Sequence, residues 1–135
     1  MNNDDAKQNG LRCLIVEDNI PAAEIMAIFF ERNGIISETA ENGQIGLQMY
    51  LNKPLEYDII FLDLQMPVMD GYEMAKRVRE SGMPTAITIP IVAMSGTYTV
   101  DAAGKHLINY FLKKPFKIHS LTEVINEVMQ AGRTE

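Results

Sequence analysis

The sequence predicts an α/β fold, one parallel sheet with helices on both faces, on the strength of three observations. Short apolar runs alternate with stretches of helical period along the whole chain, a pattern that argues for parallel strands joined by helices. Two central runs, Asp58–Leu62 and Pro90–Met94, are rich in Ile, Val, Leu and Phe, as strands covered on both faces should be. With 135 residues, 47% apolar and 22% charged, the chain suits one compact domain with a real core.

Taken in order, residues 1–10 begin Met-Asn-Asn-Asp-Asp and are expected to form a flexible tail rather than a signal peptide. The first strand is Arg12–Val16. In the helix predicted over Pro21–Asn33, Ala22, Ile25, Met26 and Phe29 share one face; Pro21 suits its first turn and Gly34 its stop. Strand Ile35–Ala40 and helix Gly43–Asn52 follow, then strand Asp58–Leu62 and helix Gly71–Ser81. Strand Pro90–Met94 precedes a fourth helix over Tyr98–Leu107, which Gly104 weakens. Strand Tyr110–Lys113 leads to the clearest helix, Ile118–Ala131, where Leu121, Val124, Ile125, Val128 and Met129 make a core-facing stripe. Residues 132–135 are expected to fray, leaving 11–131 as the domain.

Composition narrows the function. Twelve Lys and Arg against 18 Asp and Glu give a net charge of −6, the wrong sign for non-specific nucleic-acid binding. Cys13 stands alone, which rules out an internal disulfide or a thiolate metal cluster and fits a reducing cytoplasm. No apolar run reaches membrane-spanning length, and neither a repeat nor a low-complexity tract is present.

In open parallel sheets, sites form beyond the carboxyl ends of the strands. There stand Glu17 and Asp18, then Asp63, then Ser95 and Gly96, then Lys113-Lys114-Pro115. A doubly wound sheet sets the first and third strands side by side and brings Asp18 near Asp63. Like charges that close need a cation between them, and an all-oxygen acidic cluster suits a hard ion such as Mg²⁺. Alone, Asp63 reads equally well as a turn residue; its agreement with Asp18, Ser95 and Lys114 favours a functional carboxylate. Lys113, His106, His119, the Asp70-Gly71 pair and the nine methionines have ordinary structural readings.

The pieces LIVEDN (14–19), DLQMPVMDGYE (63–73), VAMSG (92–96) and KPF (114–116) together resemble the receiver domains of response regulators in two-component signalling. The resemblance runs from about Leu11 to Ala131. It implies the flavodoxin-like receiver fold with strand order 2-1-3-4-5. It also implies that Asp63 accepts a phosphoryl group from a phosphohistidine donor, a histidine kinase or a histidine phosphotransfer protein. Asp18, Asp63 and the Gln65 backbone carbonyl would bind Mg²⁺, with Glu17 acting through a water. Lys114, aimed by a cis Lys114–Pro115 bond, would meet the phosphoryl oxygens, and Ser95 would donate its hydroxyl to one of them. Phe111 would then turn inward and switch the face built from the fourth helix, fifth strand and last helix. Gln65 and Thr97 would tune phosphoryl lifetime. Such a receiver is a signalling switch and no enzyme beyond its own phosphorylation and slow dephosphorylation.

The sequence departs from that pattern between Ser95 and Lys114, which is short by about one helical turn, so a short, frayed or displaced fourth helix is expected. Nothing resembling an output domain follows the last helix, as expected of a stand-alone receiver or a piece of a larger protein such as a hybrid histidine kinase. Three alternatives compete. A non-phosphorylated interaction module would not need Asp18, Asp63, Ser95 and Lys114 in register. An aspartyl phosphatase wants a general acid where Gln65 stands. A flavin site is disfavoured because Glu17-Asp18-Asn19 would repel a phosphate.

Overall fold

The computed structural model describes residues 10–97, 104 and 106–133. Five strands, β1 (Arg12–Val16), β2 (Ile36–Ala40), β3 (Ile59–Asp63), β4 (Ile91–Ser95) and β5 (Tyr110–Lys113), form one sheet in the order β2-β1-β3-β4-β5. Every pairing is parallel, with Val16 beside Leu62, Asp63 beside Met94 and Ser95 beside Lys113. Helices α1 (Ile20–Arg32), α2 (Gly43–Asn52), α3 (Gly71–Arg79) and α4 (Ile118–Arg133) cover the two faces. The predicted α/β fold and strand order are those observed.

Alternation along the strands divides the core in two. Cys13, Ile15, Phe61, Val92 and Met94 pack against Met26 and Phe30 of α1 and the apolar stripe of α4. Their neighbours Leu14, Val16, Ile60, Leu62 and Ile91 pack against Leu47 and Tyr50 of α2 and Met74 and Val78 of α3. Residues Ile59 to Leu62 are wholly buried, each such side chain stabilising the fold by about 1.5–3 kcal/mol. This is why β3 tolerates no polar residue until Asp63.

Helices α1, α2 and α3 each begin with a side-chain cap. Asn19 accepts from the Ala22 amide at 3.0 Å, Asn42 from Ile45 at 2.8 Å and Asp70 from Glu73 at 2.9 Å, satisfying amides the helix leaves free. Gly71 opens α3 hard against β3: its amide donates to Leu64 O at 3.2 Å, and an added Cβ would stand 2.5 Å from Asp63 O.

Element ends differ from expectation by one or two residues. β3 and β4 each start and end one residue later, so Asp63 and Ser95 close their strands, held by pairing to Met94 and Lys113. Helix α3 stops at Arg79, where Ser81 turns its hydroxyl back onto Val78 O at 2.7 Å. Helix α4 continues to Arg133, into the stretch expected to fray; helix ends read from sequence commonly shift this much. Most of the predicted fourth helix, 98–103 and 105, lies outside the described residues, as do the tail 1–9 and residues 134–135. Gly104, His106 and Leu107 are described in that connection, as turns. Among the described residues, no helix is long and apolar enough to cross a membrane.

The contact at Gly71 yields a stability prediction. Gly71→Ala should destabilise the fold by about 1–3 kcal/mol, since backbone atoms cannot yield as a flexible side chain does. Gly96→Ala, whose Cβ would meet nothing within 4 Å, should change stability by less than about 0.5 kcal/mol. Urea unfolding of the two variants beside wild type checks both.

Candidate functional site

The site lies where the chain leaves four adjacent sheet positions at one edge. The Glu17 amide donates to Ala40 O at 3.0 Å, continuing the β1–β2 ladder and turning Glu17 inward. Its side chain is 1% exposed by residue, and Asp63 is 4% exposed, whereas Asp18 reaches solvent. Oxygens of Glu17, Asp18 and Asp63 all lie within 4.8 Å of one another.

Lys114 answers this charge from the far side of the sheet. Its amide donates to Ser95 O at 2.6 Å, which extends the β4–β5 ladder and fixes where the side chain starts. The ammonium then donates to Glu17 Oε1 and, at 3.3 Å, to Asp63 Oδ2. The Lys114–Pro115 peptide bond is cis, as the resemblance implied. Asp63 Oδ1 accepts from the Gln65 amide at 3.0 Å, a local turn that sets the loop carrying the Gln65 carbonyl beside the carboxylate. Glu17 Oε2 accepts from the Asn19 amide at 3.2 Å.

Charge at the site is unbalanced. Three carboxylates face one ammonium, leaving a surplus that a divalent cation would neutralise. Burial first, then a hydrogen bond with Asp63, pushes the Glu17 carboxyl up to about 7, against the lowering pull of Lys114 and Asn19. Burial lowers the Lys114 pKa, but its bonds and attraction to Glu17 and Asp63 outweigh this and hold it above the ordinary lysine value. The ammonium therefore stays charged, and Glu17 holds a proton more tightly than an ordinary carboxyl. For a hard divalent ion such as Mg²⁺, this all-oxygen donor set has the right chemistry.

Ser95 is buried, and its Oγ sits 3.1 Å from both the Thr97 amide and Thr97 Oγ1. Gln65 Nε2 reaches Thr97 Oγ1 at 3.3 Å, so a side-chain bridge joins the loops after β3 and β4. Phe111 is half-buried on edge strand β5, paired with Ala93. The structure thus gathers Glu17, Asp18, Asp63, Lys114, Gln65, Ser95 and Thr97 at one end of the sheet, with Phe111 on the strand that leads to Lys114.

A family model described as response regulator receiver domain matches residues 13–126. The chain belongs to the receiver-domain family. The receiver is similar to hybrid signal transduction histidine kinase K of Dictyostelium discoideum, 30% identical over 131 residues, 91% of this chain and 11% of that protein. Among solved structures it is similar to Vibrio cholerae chemotaxis protein CheY4, with TM-score 0.78 and 26% identity over 87% of this chain and 98% of that one. It is also similar to the Saccharomyces cerevisiae Ssk1 receiver domain, co-crystallised with the histidine phosphotransfer protein Ypd1. That likeness has TM-score 0.75 and 30% identity and covers 87% of each chain. The receiver spans only 11–13% of the first curated kinases it matches.

Some residues that shape the receiver left no sequence signal. Arg79, half-buried at the end of α3, donates to the carbonyls of Ala86, Ile87, Ile89 and Leu107 and to Asn109 Oδ1. It ties the connection before β5 to the sheet edge opposite the site. As a basic residue in a helix's last turn it looks ordinary, and only the chain paths reveal what it binds.

The Glu17 shift has a consequence for stability. A carboxyl whose folded pKa exceeds its ordinary 4.5 holds its proton more tightly in the fold, so its contribution is complete below that value and is lost as pH rises through about 7. In EDTA, wild type should lose thermal stability across this window relative to Glu17→Gln. Melting curves at several pH values test it, and parallel profiles would place the proton elsewhere.

Proposed function

We propose that the receiver is a phosphorylation switch in which Asp63 accepts a phosphoryl group from phosphohistidine on a histidine kinase or histidine phosphotransfer protein. The observation that carries this is the Lys114 ammonium bonded at once to the buried Glu17 and Asp63 carboxylates, at the sheet edge where Ser95 also ends its strand. Asp18, Asp63 and the Gln65 carbonyl would hold Mg²⁺, with Glu17 acting through a water. When bound, the ion supplies charge neutralisation on the phosphoryl oxygens.

The chain's own residues do the remainder. An Asp63 oxygen attacks phosphorus; the new O–P bond forms as the P–N bond breaks, its electron pair returning to the donor imidazole. Lys114 stands ready to meet a phosphoryl oxygen as a compact cation. Ser95 Oγ, now turned to Thr97, would rotate to donate to another, and Phe111 would follow, changing the face around β5. The Gln65–Thr97 bridge lies where water must approach, so these two residues would set the phosphoryl lifetime. The result is a switch, with self-phosphorylation and slow self-dephosphorylation as its only chemistry.

Partner binding has a surface beside the site. Ile25 of α1 and Ile118 of α4 are exposed and line a groove of about 800 Å³ that runs from Glu17 and Lys114 to Leu121. An apolar patch next to a charged centre suits a histidine-bearing helical donor docking over Asp63. The acidic charge disfavours nucleic acid, and a cytoplasmic setting fits a partner of this class. In a hybrid-kinase context Asp63 would pass its phosphoryl group on to a histidine phosphotransfer protein.

Acetyl phosphate with Mg²⁺ should add one phosphoryl group by intact mass, and omission of Mg²⁺ or Asp63→Asn should abolish it. Lys114→Ala should slow the reaction by about 100-fold, the usual loss for one charge-stabilising donor. A wild-type protein that stays unmodified would favour a non-phosphorylated interaction module.

A further inference from the structure

Between Asp63 and α3 the chain makes a turn whose centre is chemically out of place. Val68 has φ 73°, the one positive φ on a non-glycine residue among the described residues. The Met69 amide donates to Pro67 O at 2.8 Å, closing a three-residue turn around it. A turn of this size with positive φ at its centre is a rare and strained form, and a β-branched residue is the least suited to it. Gly or Asn would adopt the same backbone at lower cost, by about 1–2 kcal/mol.

The Val68 side chain itself buries too little to offset that cost. Val68 is 76% exposed, while its neighbours Met66 and Met69 turn inward against the second core cluster and anchor the loop without it. Other exposed apolar side chains, such as Ile87 at 82%, sit on unstrained backbone and are unremarkable on a protein surface. Among the described residues Val68 alone combines exposure with strain, and it stands five positions after Asp63. Because β1 and β3 are neighbours, its loop emerges beside the β1–α1 turn, where Ile20 is 46% exposed.

The geometry points to Val68 as a partner-contact residue: its side chain is held out, at intramolecular cost, to pack against the apolar surface around the phosphohistidine of the donor protein. The Val68 loop and the β1–α1 turn that carries Ile20 follow neighbouring strands on either side of Asp63 and Glu17, so a donor reaching Asp63 comes over both. The inference rests on the phosphoacceptor role proposed for Asp63. It adds a specificity residue for protein donors that small donors do not sense.

The test uses two variants and two donors. Val68→Gly removes strain and side chain together; Val68→Thr keeps the β-branched shape and the strain but makes the tip polar. Both should take phosphate from acetyl phosphate at the wild-type rate. With phosphorylated Ypd1 as the protein donor, both should be slower by about ten-fold, the loss expected for one buried aliphatic side chain. Val68→Gly should also melt higher than wild type, by about 3 °C. Unchanged transfer from phospho-Ypd1 in both variants would overturn the proposal. So would a loss confined to Val68→Gly, which would assign the valine to stiffening the loop, and so would a wild type that accepts from acetyl phosphate but not from phospho-Ypd1. If neither donor labels wild type, the phosphoacceptor role itself fails and not merely the role of Val68.

Discussion

Two carboxylates buried at the end of a parallel sheet, sharing one ammonium, set the terms for the rest of this molecule. Glu17 and Asp63 are covered by the same packing that forms the core, and burying an ionised carboxylate without compensation is costly. Lys114 compensates them only because the β4–β5 ladder runs one residue past Lys113, to the bond between its amide and Ser95 O. Asp18, exposed beside them, raises the negative charge beyond what one lysine can balance. The sheet thus holds a charge surplus in place, with rigid walls and one side open to solvent. That is the condition for binding a cation and a phosphoryl group with little reorganisation.

The surrounding architecture serves this end of the sheet. Side-chain caps start α1 and α2 within a few residues of their strands, and Asp70 caps α3 after the longer loop that follows Asp63. Gly71 lets α3 begin in contact with the Asp63 backbone, and Gly43 lets α2 approach Met69 O, where a Cβ would come within 2.5 Å. The strained Val68 turn sits in this compact region, consistent with the tendency of strain to concentrate near sites. At the opposite edge, Arg79 gathers the carbonyls of Ala86, Ile89 and Leu107 into one network, which ties the residues just before β5 to those just before β4.

Much of this was legible in the sequence because its cause is local. Alternating apolar runs and helical stripes are direct images of strands and helices covered from both sides. Glu17, Asp18, Asp63, Ser95 and Lys114 were legible because a parallel sheet sends every strand's carboxyl end to one edge. Strand limits were read one residue early at Asp63 and Ser95, since a polar residue looks like a turn until its ladder partner is known. Tyr57 illustrates what pattern cannot show: its hydroxyl donates to Glu38 at 2.6 Å, and Lys53 bonds the same carboxylate. Arg79, Asn109 and the φ of Val68 belong with it, for each depends on where distant or looping backbone comes to rest.

Backbone amide NMR of the metal-free protein, titrated with Mg²⁺ and then with beryllofluoride, tests the site most directly. If the strand-end cluster is a phosphoryl-acceptor centre, Mg²⁺ should move the amides of Glu17, Asp18 and Gln65. Beryllofluoride should then move those of Thr97 and Lys114 and carry the change along β5 to Phe111. Asp63→Asn should lose the second set. Perturbations that are absent, or that centre on another part of the chain, would contradict the assignment of the site to phosphoryl chemistry.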